Sequence, residues 1–280
     1  MPTLLFNQTM RPIMPRPRHF SRSSTEAVPW RWALVGSLLG LVLAMVLLAP
    51  AVWLAAALNQ ATSGHIQLVE TVGTVWTGSG KLVLTGGSGS RDRAALPGRV
   101  NWKLRPNGFA LGLELNAGCC TQQPLQARVQ PRWGGVSVEI GDSASEWPAS
   151  LLAGLGAPWN TLQADGSLKL ITKGLSFEWF NQQSTVSGRA DLTAVALTSS
   201  LTTLKPMGSY QLLFLGGSTI KVSLVTLEGR LQLSGNGRWV GSRLSFEGIA
   251  SAAPGYEAAL ANLLNIIGRR NGPNSIITLG

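Results

Sequence analysis

The sequence predicts a mainly β protein: an N-terminal single transmembrane helix followed by an extended, curved antiparallel β-meander with one or two short helices. Three observations carry this reading. A 26-residue run without a charge, Ala33 to Leu58, lies near the N-terminus. Beyond residue 64, apolar residues recur at every second position, the period of half-buried strands. The 33 glycines and 15 prolines, with only 13% charged residues, suit strands and tight turns. A helical bundle would carry more Glu and Lys.

The uncharged run, "ALVGSLLGLVLAMVLLAPAVWLAAAL", would extend roughly 39 Å as a helix at ~1.5 Å per residue, enough to cross a bilayer with tilt. Pro50 either kinks it or marks where the spanning part ends, and Trp30, Trp32 and Trp53 suit the interfaces. Arg11, Arg16, Arg18, Arg22 and Arg31 precede it against the single Glu26, and no Lys or Arg follows until Lys81. The positive-inside rule therefore puts the N-terminus in the cytoplasm and the rest of the chain outside it. A cleaved signal peptide is the competing reading, with Ala55, Ala56 and Ala57 as the small-residue site. The apolar run exceeds an h-region of about 7–15 residues and the arm before it is long, so an uncleaved anchor is preferred. The expected organisation is a basic disordered arm at 1–32, a transmembrane helix at 33–58 and a β-rich domain at 59–280, with a boundary between two halves placed near 146–160.

Alternation marks the strands. Val100, Trp102 and Leu104 form one set, followed by Leu111, Leu113 and Leu115, then Leu125, Ala127 and Val129, then Val136, Val138 and Ile140. Later sets are Leu175, Phe177 and Trp179; Tyr210, Leu212 and Phe214; Ile220, Val222 and Leu224; and Leu244 with Phe246. Turns are expected at "RPNG" (105–108), "GG" (134–135), "TKG" (172–174), "GG" (216–217) and "GNG" (235–237). No βαβ alternation appears, so the sheet should be antiparallel. "EWPASLLAGL" (146–155) is a candidate short helix. "YEAALANLLNII" (256–267) is a clearer one, with Leu260, Leu263, Leu264 and Ile267 on one face to cover the sheet. A last strand, "SIITL", should follow.

Chemistry is harder to find. "GTVWTGSGKLVL" (73–84) clusters glycines before Lys81, but Leu82 stands where a phosphate loop needs Ser or Thr, and a strand follows in place of a helix. It reads as a hairpin corner. "GNGRWVG" (235–241) departs from the dinucleotide spacing, and "GGSGS" (86–90) is one glycine short of a nucleophile elbow. The two histidines, His19 and His65, flank the membrane run, which leaves no Ser-His-Asp triad and too few ligands for a metal site. No carboxylate pair can be picked from spacing. No catalytic, cofactor-binding or metal-binding residue is assigned, and an enzyme is not expected. The net charge of +10 suits nucleic acid, anionic lipid or an acidic partner, but the basic residues beyond residue 60 are scattered. The tryptophans within strands, and the extracytoplasmic location, argue against nucleic acid. Cys119 and Cys120 are adjacent; unpaired thiols and a disulfide, vicinal or intermolecular, all remain open.

Taken in order, several stretches resemble the type II secretion system protein N family. These are the basic arm and anchor, "VGTVWTGSGKLVL" (72–84), "VNWKLRP" (100–106), "CC…QPRWGG" (119–135), "DGSLKL…FEW" (165–179), "LEGRLQLSGNGRWVG" (227–241) and "ALANLLNIIGRRNGPNSIITLG" (259–280). The resemblance implies an accessory inner-membrane component of the machinery that moves folded proteins across the outer membrane of Gram-negative bacteria. It implies a periplasmic domain, other secretion proteins of the inner membrane and periplasm as partners, inner-membrane lipids around residues 33–58, and no cofactor. No contact residues carry over.

A second reading rests on architecture. A single-pass anchor bearing a long apolar meander resembles in outline the AsmA-like proteins, which handle lipid between membranes. The discriminator is whether the inward strand residues fill a packed core or line an open apolar trough.

Overall fold

The computed structural model describes residues 30–157, 159–181, 183–240 and 243–279. The basic arm up to residue 29 lies outside them. The apolar run forms two helices rather than the single one expected over 33–58. These are α1 (Trp30–Leu47) and α2 (Ala51–Ala61), separated by Leu48, Ala49 and Pro50. Proline disfavours helical backbone in the residue before it, and Pro50 itself is extended (ψ 148°), so α1 stops short of it and α2 starts after it. All of α1 is exposed, and it is long and apolar enough to cross a membrane. The described residues divide into two units, the first ending at Met45 and the second beginning at Val46.

The second unit is built on one sheet. Its strands are β1 (Ile66–Gly73), β2 (Thr77–Thr85), β3 (Arg93–Ala95), β4 (Val100–Asn107), β5 (Ala110–Ala117), β6 (Leu125–Arg132), β7 (Gly135–Ile140) and β8 (Ser143–Pro148). A 3-10 segment (Ala149–Leu155) and α3 (Trp159–Leu162) lead to β9 (Asp165–Phe180), β10 (Gln183–Thr198), β11 (Gly208–Gly217), β12 (Lys221–Gly229), β13 (Leu231–Val240) and β14 (Arg243–Ala252). Then come α4 (Glu257–Ile267), β15 (Arg269–Asn271) and β16 (Asn274–Leu279). Every pairing is antiparallel and neighbours follow the chain almost throughout, so the expected meander is present. β1 and β15 end the path and the sheet does not close.

Strand β9 joins the two parts of the sheet. Its first half pairs with β8 and its second half with β7 on one side, while β10 runs along its whole length on the other. Two small cores lie toward the same ends of the strands. One gathers Leu96, Val100, Ala117, Cys120 and Leu151 around the 3-10 segment. The other gathers Met207, Tyr210, Leu231 and Ala250 under Leu260, Leu263 and Leu264 of α4. The leucine face of that helix covers the sheet, as its spacing predicts.

Two expected turns are corrections. "TKG" (172–174) lies inside β9, where a bulge opposite Gly188 absorbs it, and "GNG" (235–237) lies inside β13. The second has a packing cause. A Cβ at Gly235 or Gly237 would fall 2.5 or 2.9 Å from the Phe246 ring, so the bare backbone there makes room for the aromatic side chain. The candidate helix at 146–155 is also divided: Glu146, Trp147 and Pro148 finish β8, and only Ala149–Leu155 turns, as a 3-10 segment.

Candidate functional site

Register sorts the sheet into two unlike faces. Leu111, Val129, Val138 and Phe177 stand opposite one another across β5, β6, β7 and β9, and Leu113, Ala127, Ile140 and Leu175 form the adjoining row. Phe177, like Trp179, is exposed, and the other side chains of these two rows are half-buried. Away from the two cores, therefore, the apolar face is left partly open to solvent.

The other face is polar. Lys103 stands opposite Glu114, and Arg128 opposite Glu139, pairings that favour opposite charge across an antiparallel ladder. A hollow of about 640 Å³ carries Lys103, Arg105, Arg128, Glu114, Glu139 and Asp142 in its lining, together with Leu113, Ala127, Ile140 and Leu175. Three cations against three anions give it no net attraction for an acidic or a basic ligand. Among the described residues, no group of three His, Cys, Asp or Glu side chains is placed to hold a metal ion.

The glycine-rich stretches, the histidines and the cysteines have structural places. "GTVWTGSG" is the β1–β2 hairpin corner, with Gly73 at φ 97° where other residues are disfavoured. Gly78 and Gly80 lie beneath the Trp102 ring, and the indole Nε1 donates to the Val75 carbonyl at 3.1 Å. Lys81 bonds Glu70 on the neighbouring strand at 2.8 Å, and this hydrogen bond holds the exposed Glu70 carboxyl below its usual range. The His65 Nδ1 atom lies 2.8 Å from the Thr62 carbonyl, and His19 is outside the described residues.

Cys119 and Cys120 are bonded to one another, with Cα atoms 3.7 Å apart. Cys119 is exposed, whereas Cys120 is buried in the first core. The Cys120 carbonyl accepts from the Glu146 backbone at 2.8 Å, so the Cys-Cys turn is docked on β8.

The ends of the sheet are blunted. Helix α2 packs beside β1, and β15 has three exposed residues, two of them arginines. Such edges discourage pairing with another chain. This leaves loops and faces as the surfaces better suited to a partner.

The profile of the type II secretion system protein N family matches residues 64–277, from the start of β1 into β16. The chain belongs to this family. No curated protein and no solved structure matches it. The match spans both small cores, both faces of the sheet and α4, so the protein N family is represented here by the whole open meander rather than by one motif. The family is a component of the secretion machinery, and its members work alongside other components of that system.

Proposed function

We propose that the chain is an inner-membrane accessory component of type II secretion: α1 tethers it, the N-terminal arm lies in the cytoplasm, and residues 59–280 form a periplasmic scaffold. The observation that carries this reading is the family match over nearly the entire sheet, C-terminal to a helix of membrane-spanning length. Mechanistically, the scaffold holds other secretion proteins through loops and sheet faces while the anchor keeps it at the membrane. No bond-making step is assigned to any residue.

Cells lacking the protein provide the test, with a secreted enzyme assayed in periplasm and medium. Retention in the periplasm with an intact outer-membrane barrier is the expected result. Protease protection of residues 59–280 from the outside of spheroplasts would overturn the topology.

A second reading, AsmA-like lipid handling, has the half-exposed apolar rows on β5, β6, β7 and β9 in its favour. Its signature would be normal secretion with detergent-sensitive cells.

A further inference from the structure

Alternate hairpin turns of the meander lie at one margin of the sheet. Register places the β4–β5, β6–β7, β9–β10, β11–β12 and β13–β14 turns together there: Asn107 pairs Ala110, Arg132 pairs Gly135 and Gly135 pairs Phe180, while Leu215 pairs Lys221 and Val240 pairs Arg243. The 3-10 segment, α4 and the two cores lie toward the opposite strand ends.

At this margin, aromatic side chains stand in solvent. Phe109 is 97% exposed and Trp133 is 99% exposed, each at the tip of its hairpin, and Trp179 and Phe180 are 55% and 52% exposed beside them. Aromatic rings held outward on tight turns find little cover on their own domain, and they suit the headgroup layer of a bilayer. Cations accompany them. Within two residues of the strand ends at these five turns stand Arg105, Arg132, Lys221, Arg238 and Arg243, all exposed, against Glu178 alone. The opposite margin is mixed, with Asp92, Glu146, Asp165, Glu228 and Glu257 among Arg91, Arg93, Arg99, Lys205, Arg230, Arg269 and Arg270.

Connectivity points the same way. The chain enters this unit at the hairpin margin, because Pro50 bridges to Thr74, Val75 N donates to the Ala49 carbonyl at 2.8 Å and the Trp76 indole donates to the Val46 carbonyl at 2.8 Å. The β1–β2 turn that holds this junction lies at the same strand ends as the five hairpins.

We infer that this margin is a lipid-binding surface that rests on the anionic leaflet from which the tether emerges, with Phe109, Trp133 and Phe180 entering the headgroup layer and the five cations meeting lipid phosphates. The inference rests on the tethered reading given above. It makes the anchor and the margin a two-signal attachment, in which each cation near an anionic surface multiplies partitioning about fivefold.

The full chain, reconstituted in phosphatidylcholine vesicles with or without phosphatidylglycerol, provides the test. Fluorophores are placed at Phe109→Cys, at Trp133→Cys and, as a control, at Thr203→Cys in the exposed loop of the opposite margin, with the unlabelled parent as blank. Headgroup-region nitroxide lipids should quench the first two several-fold more than the third, more strongly with phosphatidylglycerol. R132E with R243E should remove that lipid dependence. Equal quenching at all three positions, or none at 109 and 133, overturns the inference. So does capture of a protein, in place of lipid, by a photocrosslinker at position 133 in cells. Alkaline carbonate extraction separates the two failures. A chain that leaves the membrane refutes the tether, whereas a retained chain with unquenched tips refutes only the margin.

Discussion

The Trp102 indole lies against the backbone of Gly78, its register partner on β2, so closely that a Cβ at Gly78 would fall 2.5 Å from the ring. The buried ring also donates to the Val75 carbonyl, which ties the hairpin corner to β4. Gly78→Ala therefore forces one of these groups to move, and overpacking of this kind costs about 1–3 kcal/mol. Gly112→Ala is the control, because its nearest neighbour, the Arg105 carbonyl, is 3.6 Å away. Its stability should change by less than about 0.5 kcal/mol. Chemical denaturation of the detergent-solubilised chain measures both, and equal midpoints would dismiss the ring-on-glycine contact as a determinant.

A second aromatic repeats the arrangement. Phe246 is buried over Gly235, Gly237 and Gly248, three positions with no side chain to replace it. Phe246→Ala should cost about 3–5 kcal/mol, the upper range for core truncations, because the surrounding glycines have no atoms to fill the space. A loss of under about 1 kcal/mol in the same denaturation assay would mean the ring is not a core element.

These contacts explain which parts of the fold were legible in the sequence. Alternation such as Leu111, Leu113 and Leu115 reveals a strand because one face is apolar along its whole length. Strand β10 escaped that reading: Gln183–Thr198 interleaves Ser, Thr, Arg and Asp, and its register shifts near Gly188 and again before Thr198, which breaks the phase of Ala190, Leu192 and Ala194. The "GNG" glycines signal a turn by local propensity, but the partner that overrides it, Phe246, lies on the next strand. The hairpin margin was hidden for the same reason. Arg105, Arg132 and Arg238 are scattered in sequence, and only strand register brings their turns to one side.

The Cys119–Cys120 bond yields a chemical prediction. Non-reducing digestion should recover both residues in one peptide that resists alkylation, with a mass two hydrogen atoms lower than the reduced form. After reduction of the folded chain, alkylation should reach exposed Cys119 well before Cys120, which packs with Leu96, Val100 and Leu151. Rapid labelling of both without reductant would show free thiols and remove the bond.

Tyr210 should shape the alkaline limit of stability. Burial beneath α4 pushes its phenol far above the ordinary value of about 10, because the phenolate would lose its hydration. The folded state thus holds the proton more tightly than the unfolded state. Its stabilising contribution is complete below about pH 10 and is lost as pH rises toward the folded value. The hydroxyl donates to the Leu231 carbonyl at 3.1 Å, so Tyr210→Phe should cost about 1 kcal/mol at neutral pH. It also removes the titrating proton while keeping the ring. The gap between the two proteins should therefore narrow above about pH 10 and then reverse, as the wild type alone pays for phenol ionisation. Denaturation midpoints of both, followed across neutral to strongly alkaline buffers, measure this. Parallel curves would mean that Tyr210 ionises as freely in the folded chain as in the unfolded one.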